Sequence, residues 1–281
     1  MSKPRKLAQA PDRVPSTARS GSVAWGTAAL IILTVMLAWS NTLHAPFVLD
    51  EYSSILDNAT LRDFWSFGWL FPPATGGETV SGRPVLNLSF ALNHALGGLE
   101  VSGYHVVNGL IHAFSALLLY GIVRRTLARS ARSGGVDHDA NRPTLWAECF
   151  AGGVALIWAV HPLQTAAVTY VAQRAESLAG LFFLLTLYGF IRGVEFAPGK
   201  RRWMAASVIA CLLGMGTKET MVAAPIVVLL YDRAFVAGSL GEAWRLRGRW
   251  YAALAATWFV LAGLVWSNHG RGGSAGWGAV I

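Results

Sequence analysis

The sequence predicts an all-α polytopic membrane protein, and three observations support that prediction. Only 14% of the 281 residues are charged, whereas a soluble domain carries about 25%. Hydrophobic residues make up 54% of the chain, and the mean hydropathy is +0.44. The apolar residues also occur in long blocks rather than in short periodic stripes. This pattern excludes a soluble globule, a disordered chain and a secreted disulfide scaffold.

The first apolar block predicts a membrane anchor near the start of the chain. Residues 1–22 are polar, basic and rich in serine and proline, which is typical of a flexible tail. The block from Val23 to about Leu43 is long enough to cross a bilayer core of roughly 30 Å. A cleavable signal peptide is the alternative, but its apolar core usually has only about 7–15 residues. We therefore expect a disordered cytoplasmic tail over 1–22, an uncleaved signal anchor, and one transmembrane domain over 23–281.

Six further apolar blocks predict a total of seven transmembrane helices. They cover about 104–123, 145–160, 176–192, 203–217, 220–232 and 250–267. The fifth and sixth spans are short, and the glycine-containing stretch Gly214–Thr220 between them predicts a tight hairpin. A single kinked span over 203–232 is the alternative, and it would invert the orientation of everything after it.

The basic residues predict the orientation of these spans. With the N-terminus in the cytoplasm, the inner segments 1–22, 124–144, 192–203 and 233–249 hold 18 of the 23 lysines and arginines. Short cytoplasmic loops carry such an excess in membrane proteins. The same excess accounts for the net charge of +8, so we expect no nucleic-acid partner.

A long first loop over residues 44–103 is expected on the extracytoplasmic side. Its later part carries an apolar stripe at helical spacing, formed by Val85, Leu88, Leu92, Leu96 and Leu99. Asn87, Asn93 and His94 lie off that stripe. The pattern predicts a helix lying in the membrane interface, and a short span is the alternative.

Asp50 and Glu51 form the first of four polar clusters near the extracytoplasmic ends of the spans. Ionisable groups at a membrane boundary are costly and often mark function. A low dielectric raises the pKa of a carboxyl group toward the range that suits a general base. Ordinary solvated loop acids, or a helix cap, are the alternative.

The second cluster lies on one face of the second span, because His105, Asn108, His112 and Ser115 are three or four residues apart. His105 and His112 lack a clear third ligand, so we expect no metal site. Hydrogen bonding between helices is the alternative role for this face.

The third and fourth clusters supply cations. His161, Gln173, Arg174 and Glu176 surround the start of the fourth span, and the guanidinium of Arg174 suits a phosphate. An ion pair of Arg174 with Glu176 or Asp50 is the alternative. Lys218 and Glu219 form the tip of the predicted hairpin, where the lysine could neutralise a phosphate; a simple charged turn is the alternative.

The ordered set of these motifs resembles a known family. The set comprises Asp50-Glu51, Arg83-Pro84, Gly103-Tyr104-His105-Val106-Val107-Asn108, His161-Pro162-Leu163-Gln164-Thr165, Val168-Thr169-Tyr170-Val171, Gln173-Arg174-Ala175-Glu176 and Lys218-Glu219-Thr220. Over about residues 40–235 the chain is similar to the integral-membrane glycosyltransferases of the C superfamily. It is most similar to the transmembrane-and-TPR-repeat proteins and their bacterial relatives, which are related to protein O-mannosyltransferases.

This resemblance implies transfer of a sugar from a polyprenyl-phosphate carrier to a protein or glycan acceptor on the extracytoplasmic side of a bacterial inner membrane, without a metal or cofactor. It implies that Asp50 is the base and that Glu51 supports it. It implies that the lipid phosphate is bound by Arg174 and Lys218, with Arg83, His161 and Gln173. Supporting roles fall to His105, Asn108, His112, Glu176 and Glu219.

The chain also departs from the family pattern. Ala166 stands where relatives often carry an acid, and the usual further spans and TPR repeats do not follow, so we expect the transmembrane domain to be incomplete at its C-terminus. Two other functions remain open: a non-catalytic membrane scaffold of a TPR-type protein, and a transporter or flippase. A transporter would place polar groups near the middle of the membrane on broken helices.

Overall fold

A computed structural model describes residues 16–72, 79–133, 142–195 and 199–267, and within these ranges the protein contains helices and no strands. This confirms the predicted all-α class. The α-helices are α1 (Ser16–Ala38), α2 (Pro84–Gly97), α3 (Val101–Ser133), α4 (Arg142–Ala159), α5 (Thr165–Thr169), α6 (Arg174–Val194), α7 (Lys200–Met215), α8 (Ala224–Asp232) and α9 (Leu240–Ser267). Short 3₁₀ or π turns cover Ser40–Thr42, Tyr52–Leu56, Ala59–Leu61, Phe64–Ser66, Gly68–Leu70, Pro162–Gln164, Val171–Gln173, Glu219–Ala223 and Arg233–Ala237.

Within the described residues, five helical segments are long and apolar enough to cross a membrane. They are Ser22–Thr42, Val101–Ala131, Val171–Val194, Glu219–Ala237 and Leu240–Ser267. A sixth is counted if Leu145–Ala159 and Pro162–Thr169, which are bent by 53° at their break, form one span. The predicted fifth span corresponds to α7, whose 16 residues reach only about 24 Å. The count of seven spans therefore stays a prediction.

The ends of the chain differ in part from the prediction. Helix α1 begins at Ser16, so residues 16–22 of the predicted tail are helical. Residues 1–15 lie outside the described residues, and so does the glycine-rich stretch after Ser267.

Helices α6 and α7 form a close antiparallel pair, because small residues let their backbones approach. A Cβ added at Gly189 would lie 3.1 Å from the Ser207 backbone. The Ser207 hydroxyl donates to the Thr186 carbonyl at 2.7 Å. Together with α8 and α9, this pair encloses an apolar core that includes Phe190 and Leu254.

The turn after α7 supports the predicted hairpin over the single kinked span. Lys218 in this turn pairs with Glu176 in the first turn of α6. At the far end of α8, Tyr231 hydrogen-bonds Thr126 in the last part of α3 at 2.7 Å. Helix α8 therefore runs back toward the end of the bundle where α7 begins. We call the two ends of the bundle the Asp50 end, where α1 ends and α6 begins, and the Lys200 end.

The first loop folds over the Asp50 end, and its α2 confirms the predicted helix. Asn87 and Asn93 are buried, whereas Leu92 and Leu96 are 45% and 88% exposed. Asn87 holds the loop by accepting from Asn58 at 2.9 Å and donating to the Trp69 carbonyl at 3.2 Å. The leucines thus face outward, as a helix in the membrane interface requires, and its placement there stays a prediction.

Candidate functional site

One short segment, residues 170–176, contacts several parts of the predicted site. Helix α5 ends before Tyr170, a 3₁₀ turn covers 171–173, and α6 begins at Arg174. From this segment Tyr170 reaches Asp50, and the Ala172 N–H reaches Glu51. Pro162, which lacks a backbone N–H, begins the irregular stretch that makes this path possible. The segment brings side chains from four chain regions to the Asp50 end.

Asp50 is exposed and stands on a fixed backbone. Its N–H donates to the Tyr170 hydroxyl at 3.1 Å, and that hydroxyl also interacts with the Asp50 carboxylate. The preceding Leu49 has a left-handed backbone with φ of 47°, which costs a non-glycine residue on the order of 1 kcal/mol. Such strain persists where the surroundings fix the conformation.

Glu51 is buried, and its hydrogen bonds hold the backbone of the turn at Leu49 and Asp50 in this conformation. One carboxylate oxygen accepts from the Val48 N–H at 2.6 Å, and the other accepts from the Ala172 N–H at 3.2 Å. Burial raises the pKa of the Glu51 carboxyl, and these backbone donors offset part of the rise. Glu51 therefore joins the turn that carries Asp50 to the 170–176 segment.

Tyr170 completes the surroundings of Asp50. Burial raises the pKa of the Tyr170 phenol, and the neighbouring Asp50 carboxylate raises it further. The hydroxyl therefore stays protonated at neutral pH, so it can donate to the Asp50 carboxylate. Sequence reasoning placed Tyr170 in a motif without giving it a role.

A cavity of about 510 Å³ lies beside this turn, between the end of α1 and α5. Its polar lining comes from Asn41, Thr42, Glu51, Thr165, Thr169 and Tyr170, and the rest is largely apolar. No lysine or arginine of the described residues is part of the lining. Glu51 is the acid in this lining, and Asp50 belongs to the same turn without being part of the lining.

Arg174 does not line this cavity, and its role on a lipid phosphate stays a prediction. It is 0% exposed, and its guanidinium lies 4.7 Å from the Phe90 ring centroid. Its N–H groups donate to Asn108 Oδ1 at 2.6 Å, Asn93 Oδ1 at 2.7 Å, the Tyr104 carbonyl at 2.9 Å and the Ser89 carbonyl at 3.2 Å. None of these acceptors is charged, so the alternative of an ion pair with Glu176 or Asp50 is wrong. Arg174 instead ties the start of α6 to α2 and α3.

The other two cations of the predicted site are paired with acids, Lys218 in a partly exposed position and Arg83 in a buried one. Lys218 forms an ion pair with Glu176, and the two side chains are 22% and 45% exposed. Arg83 pairs with Glu219 at 3.2 Å and donates to the Thr79 carbonyl at 2.8 Å. The Val85 N–H donates to the Gly216 carbonyl at 3.1 Å, which joins the two pairs through the start of α2. These four charged side chains form a second cluster at the Asp50 end, outside the cavity lining.

The two buried histidines of α3 contact backbone carbonyls of neighbouring segments. His105 contacts the Ala45 carbonyl at 3.1 Å through Nε2, and His112 contacts the Ala159 carbonyl at 2.8 Å. Asn108 bridges Arg174 and the Val168 carbonyl. This face of α3 therefore bonds neighbouring segments, as the alternative interpretation expected. Among the described residues no group of three or more histidines, cysteines or acids could hold a metal.

Two predicted residues lie at the margin of the site. His161 is exposed, and its Nδ1 accepts from the Leu163 N–H at 3.2 Å, which caps the 162–164 turn. Gln173 precedes α6 and makes no capping side-chain hydrogen bond. Their predicted contacts with a lipid phosphate stay predictions.

Several curated proteins similar to this chain are named protein O-mannosyl-transferases. Protein O-mannosyl-transferase Tmtc2 of Drosophila melanogaster is 33% identical over 204 residues, which is 68% of this chain and 20% of the relative. TMTC2 of Homo sapiens is 32% identical over 206 residues, 68% of this chain and 22% of the relative. TMTC1 of Mus musculus is 31% identical over 244 residues, 80% of this chain and 23% of the relative.

The chain spans about one fifth of the length of these relatives. No family model matches it, and no solved structure matches it. The relatives nevertheless confirm the resemblance that the ordered motifs predicted: the homologues of this chain are the TMTC protein O-mannosyl-transferases.

Proposed function

We propose that this chain contains the active site of a membrane glycosyltransferase that moves a sugar from a polyprenyl-phosphate carrier to a protein hydroxyl. The relatives are named protein O-mannosyl-transferases, which favours mannose as the sugar and a serine or threonine as the acceptor. We place the reaction at the Asp50 end, on the extracytoplasmic side of a bacterial inner membrane. The observation that supports this most is the exposed carboxylate of Asp50, held on a rigid turn beside a cavity.

Asp50 serves as the general base in this proposal. The acceptor oxygen attacks C1 of the sugar, and the bond from C1 to the phosphate oxygen breaks with its electron pair going to the phosphate. The proton of the acceptor hydroxyl passes to the Asp50 carboxylate. Tyr170 and Glu51 fix the backbone of the turn that carries this carboxylate, and such positioning lowers the entropic part of the barrier.

The cavity beside Asp50 suits the sugar. Side chains of Asn41, Thr42, Thr165 and Thr169 supply neutral donors and acceptors on an otherwise apolar lining. A concave site with few polar groups that fix orientation is the usual form of a small-ligand site.

Lys218 is the cation available to the leaving phosphate. Its ion pair with Glu176 is partly exposed, and exposed pairs contribute only about 0–1 kcal/mol. A lipid phosphate can therefore compete with Glu176 for the ammonium. Arg174 has no such freedom, because it is fully buried, and it acts here as a positioning residue.

Asp50→Asn tests the proposed base, and Asp57→Asn is its matched control. Asp57 is an exposed acid of the same loop, so both variants lose one negative charge. Each would be placed in proteoliposomes with polyprenyl-phosphate mannose and a serine-rich peptide. Removing a general base costs roughly 10²–10⁴-fold in rate. We expect that loss for Asp50→Asn and a near-normal rate for Asp57→Asn. Equal rates in the two variants, or no transfer by the unmodified chain, would contradict the proposal.

A non-catalytic scaffold is the second candidate, and the paired cations favour it. Arg83 and Lys218 are both engaged by acids, so a protein that only binds the carrier, or binds nothing, could show the same contacts. Retained binding of the carrier lipid without turnover would support this candidate.

A further inference from the structure

A second cavity of about 570 Å³ lies at the Lys200 end, between the first turn of α7 and the early part of α9. Helix α6 begins at the candidate active site and ends at Val194, shortly before Lys200. The second cavity is therefore at the opposite end of the bundle from Asp50. Nothing in the proposed sugar transfer uses it.

Positive charge dominates this cavity. Lys200, Arg245, Arg247 and Arg249 line it, and no acid of the described residues does. Glu242 neutralises Arg245 through hydrogen bonds of 2.7 and 2.9 Å. Lys200 and Arg249 are exposed, and no ion pair engages either of them within the described chain. Two uncompensated cations therefore face the same space.

The walls of the cavity are held in place by buried contacts. Arg247 has non-helical φ and ψ of −136° and 17° inside α9, and its guanidinium binds Asp232 through bonds of 2.6 and 2.7 Å. The Trp250 indole donates to the Met204 carbonyl at 3.3 Å. The same ring stacks on Phe190 at 4.7 Å. These contacts fix the walls of the cavity, and a fixed site lowers the ordering cost of binding a ligand.

The cavity lies where the apolar parts of α7 and α9 begin, which is the expected position of the membrane boundary. Lys200 precedes the apolar part of α7, and Arg249 directly precedes the apolar part of α9. Trp244 and Leu246 border the cavity and are 58% and 57% exposed. Cations beside exposed apolar side chains at the end of a span match a phosphate group with attached acyl chains.

We propose that this cavity binds the headgroup of an anionic membrane phospholipid. The phosphate lies between Lys200 and Arg249, and the acyl chains run over Leu246 and Trp244 into the bilayer. The proposal is independent of the sugar transfer, because it concerns the other end of the bundle.

A pair of double variants tests the proposed lipid site. Lys200→Gln with Arg249→Gln removes the two uncompensated cations. Arg201→Gln with Arg202→Gln is the matched control, because these exposed neighbours do not line the cavity and the loss of charge is equal. Native mass spectrometry of the full chain in neutral detergent would count adducts of phosphatidylglycerol, of phosphatidylcholine and of inorganic phosphate. Gel filtration and thermal unfolding would establish that both variants fold.

The unmodified chain and the control are expected to retain phosphatidylglycerol over phosphatidylcholine. The cavity variant is expected to lose roughly 30-fold in phosphatidylglycerol affinity, since each cation near an anionic headgroup contributes about fivefold. Equal losses in both double variants would show diffuse attraction and overturn the site. Unchanged binding in the cavity variant would also overturn it. Tighter binding of inorganic phosphate than of the lipid would overturn the lipid as the ligand.

Discussion

Replacing Arg174 by alanine is expected to destabilise the protein strongly, because this arginine ties three helices together. Its guanidinium is fully buried, and it donates to side chains of α2 and α3 as well as to their backbones. The variant leaves Asn93 Oδ1 and Asn108 Oδ1 without their donor in a buried site. If Arg174 instead bound a lipid phosphate, as the sequence predicts, its replacement would not be expected to lower the stability of the protein.

The size of the effect follows from the stranded acceptors. A buried acceptor without a partner costs about 1–3 kcal/mol, so the two amide oxygens together predict a loss of about 3 kcal/mol. The carbonyls of Ser89 and Tyr104 add less, because helix carbonyls have other partners. Arg174→Lys keeps the charge, but an ammonium cannot reproduce a planar fork of donors. We expect it to lose about 1–2 kcal/mol.

Reversible unfolding in mixed detergent micelles measures these losses. Lys218→Ala is the control, since its partly exposed ion pair contributes at most about 1 kcal/mol. Arg174→Ala with a free energy of unfolding within about 1 kcal/mol of the unmodified protein would refute the structural role. Arg174→Lys with normal stability but weakened binding of the carrier lipid would restore the phosphate-binding role.

Three further predictions concern the same end of the bundle. Burial raises the pKa of Glu51 in the folded protein above its ordinary value of 4.5. Between the unfolded-state pKa and this higher folded-state pKa, the folded protein binds more protons than the unfolded chain, so its stability falls as the pH rises through that range. The free energy of unfolding of the unmodified protein should therefore rise relative to Glu51→Gln as the pH is lowered from 7 toward 5, and a constant difference would contradict this. Glu176→Gln frees Lys218 from its ion pair, so affinity for the carrier lipid should increase several-fold in a binding titration; a decrease would show that Glu176 itself assists binding. Gly216→Ala places a Cβ 2.6 Å from the Val85 side chain and should cost about 1–3 kcal/mol, whereas Gly97→Ala, which meets nothing within 4 Å, should not destabilise; equal unfolding midpoints would exclude this close contact.

The sequence predicts the helices, and the segments that meet at the candidate site, better than the contacts of each side chain. Long apolar blocks predict α3, α6 and α9 because a span must bury its backbone polar groups in a helix. The motifs around Asp50 and Tyr170 predict the chain segments that meet at one end. These features depend on local composition and on chain order.

The roles of the cations depend on partners far along the chain. Arg174 is buried because Asn93 and Asn108 supply acceptors from two other helices, and its residue type alone does not reveal this. Asn93 lies off the leucine stripe of α2, which indicates that its side chain points inward. This position was the one indication in the sequence that Asn93 could bind a buried partner. The ion pair of Lys218 with Glu176 joins two turns of the chain, which no local pattern predicts.

The cavity at the Lys200 end shows the same limit. In the sequence, its basic residues indicate only the orientation of the spans in the membrane. Their meeting around one cavity depends on the bond between Arg247 and Asp232. An acid at the end of an apolar helix such as α8 is costly unless it is paired, so Asp232 was the signal for this second region.

Photo-crosslinking of the donor tests the central claim most directly, because it locates the bound carrier without requiring turnover. A polyprenyl-phosphate sugar with a diazirine on the sugar ring would be irradiated with the full chain in liposomes, and the labelled peptides would be identified by mass spectrometry. The account predicts label on residues that line the cavity beside Asp50, in the 38–51 and 165–170 stretches, and competition by unlabelled donor. Label confined to the Lys200 end, or label at the Asp50 end that unlabelled donor does not displace, would contradict it.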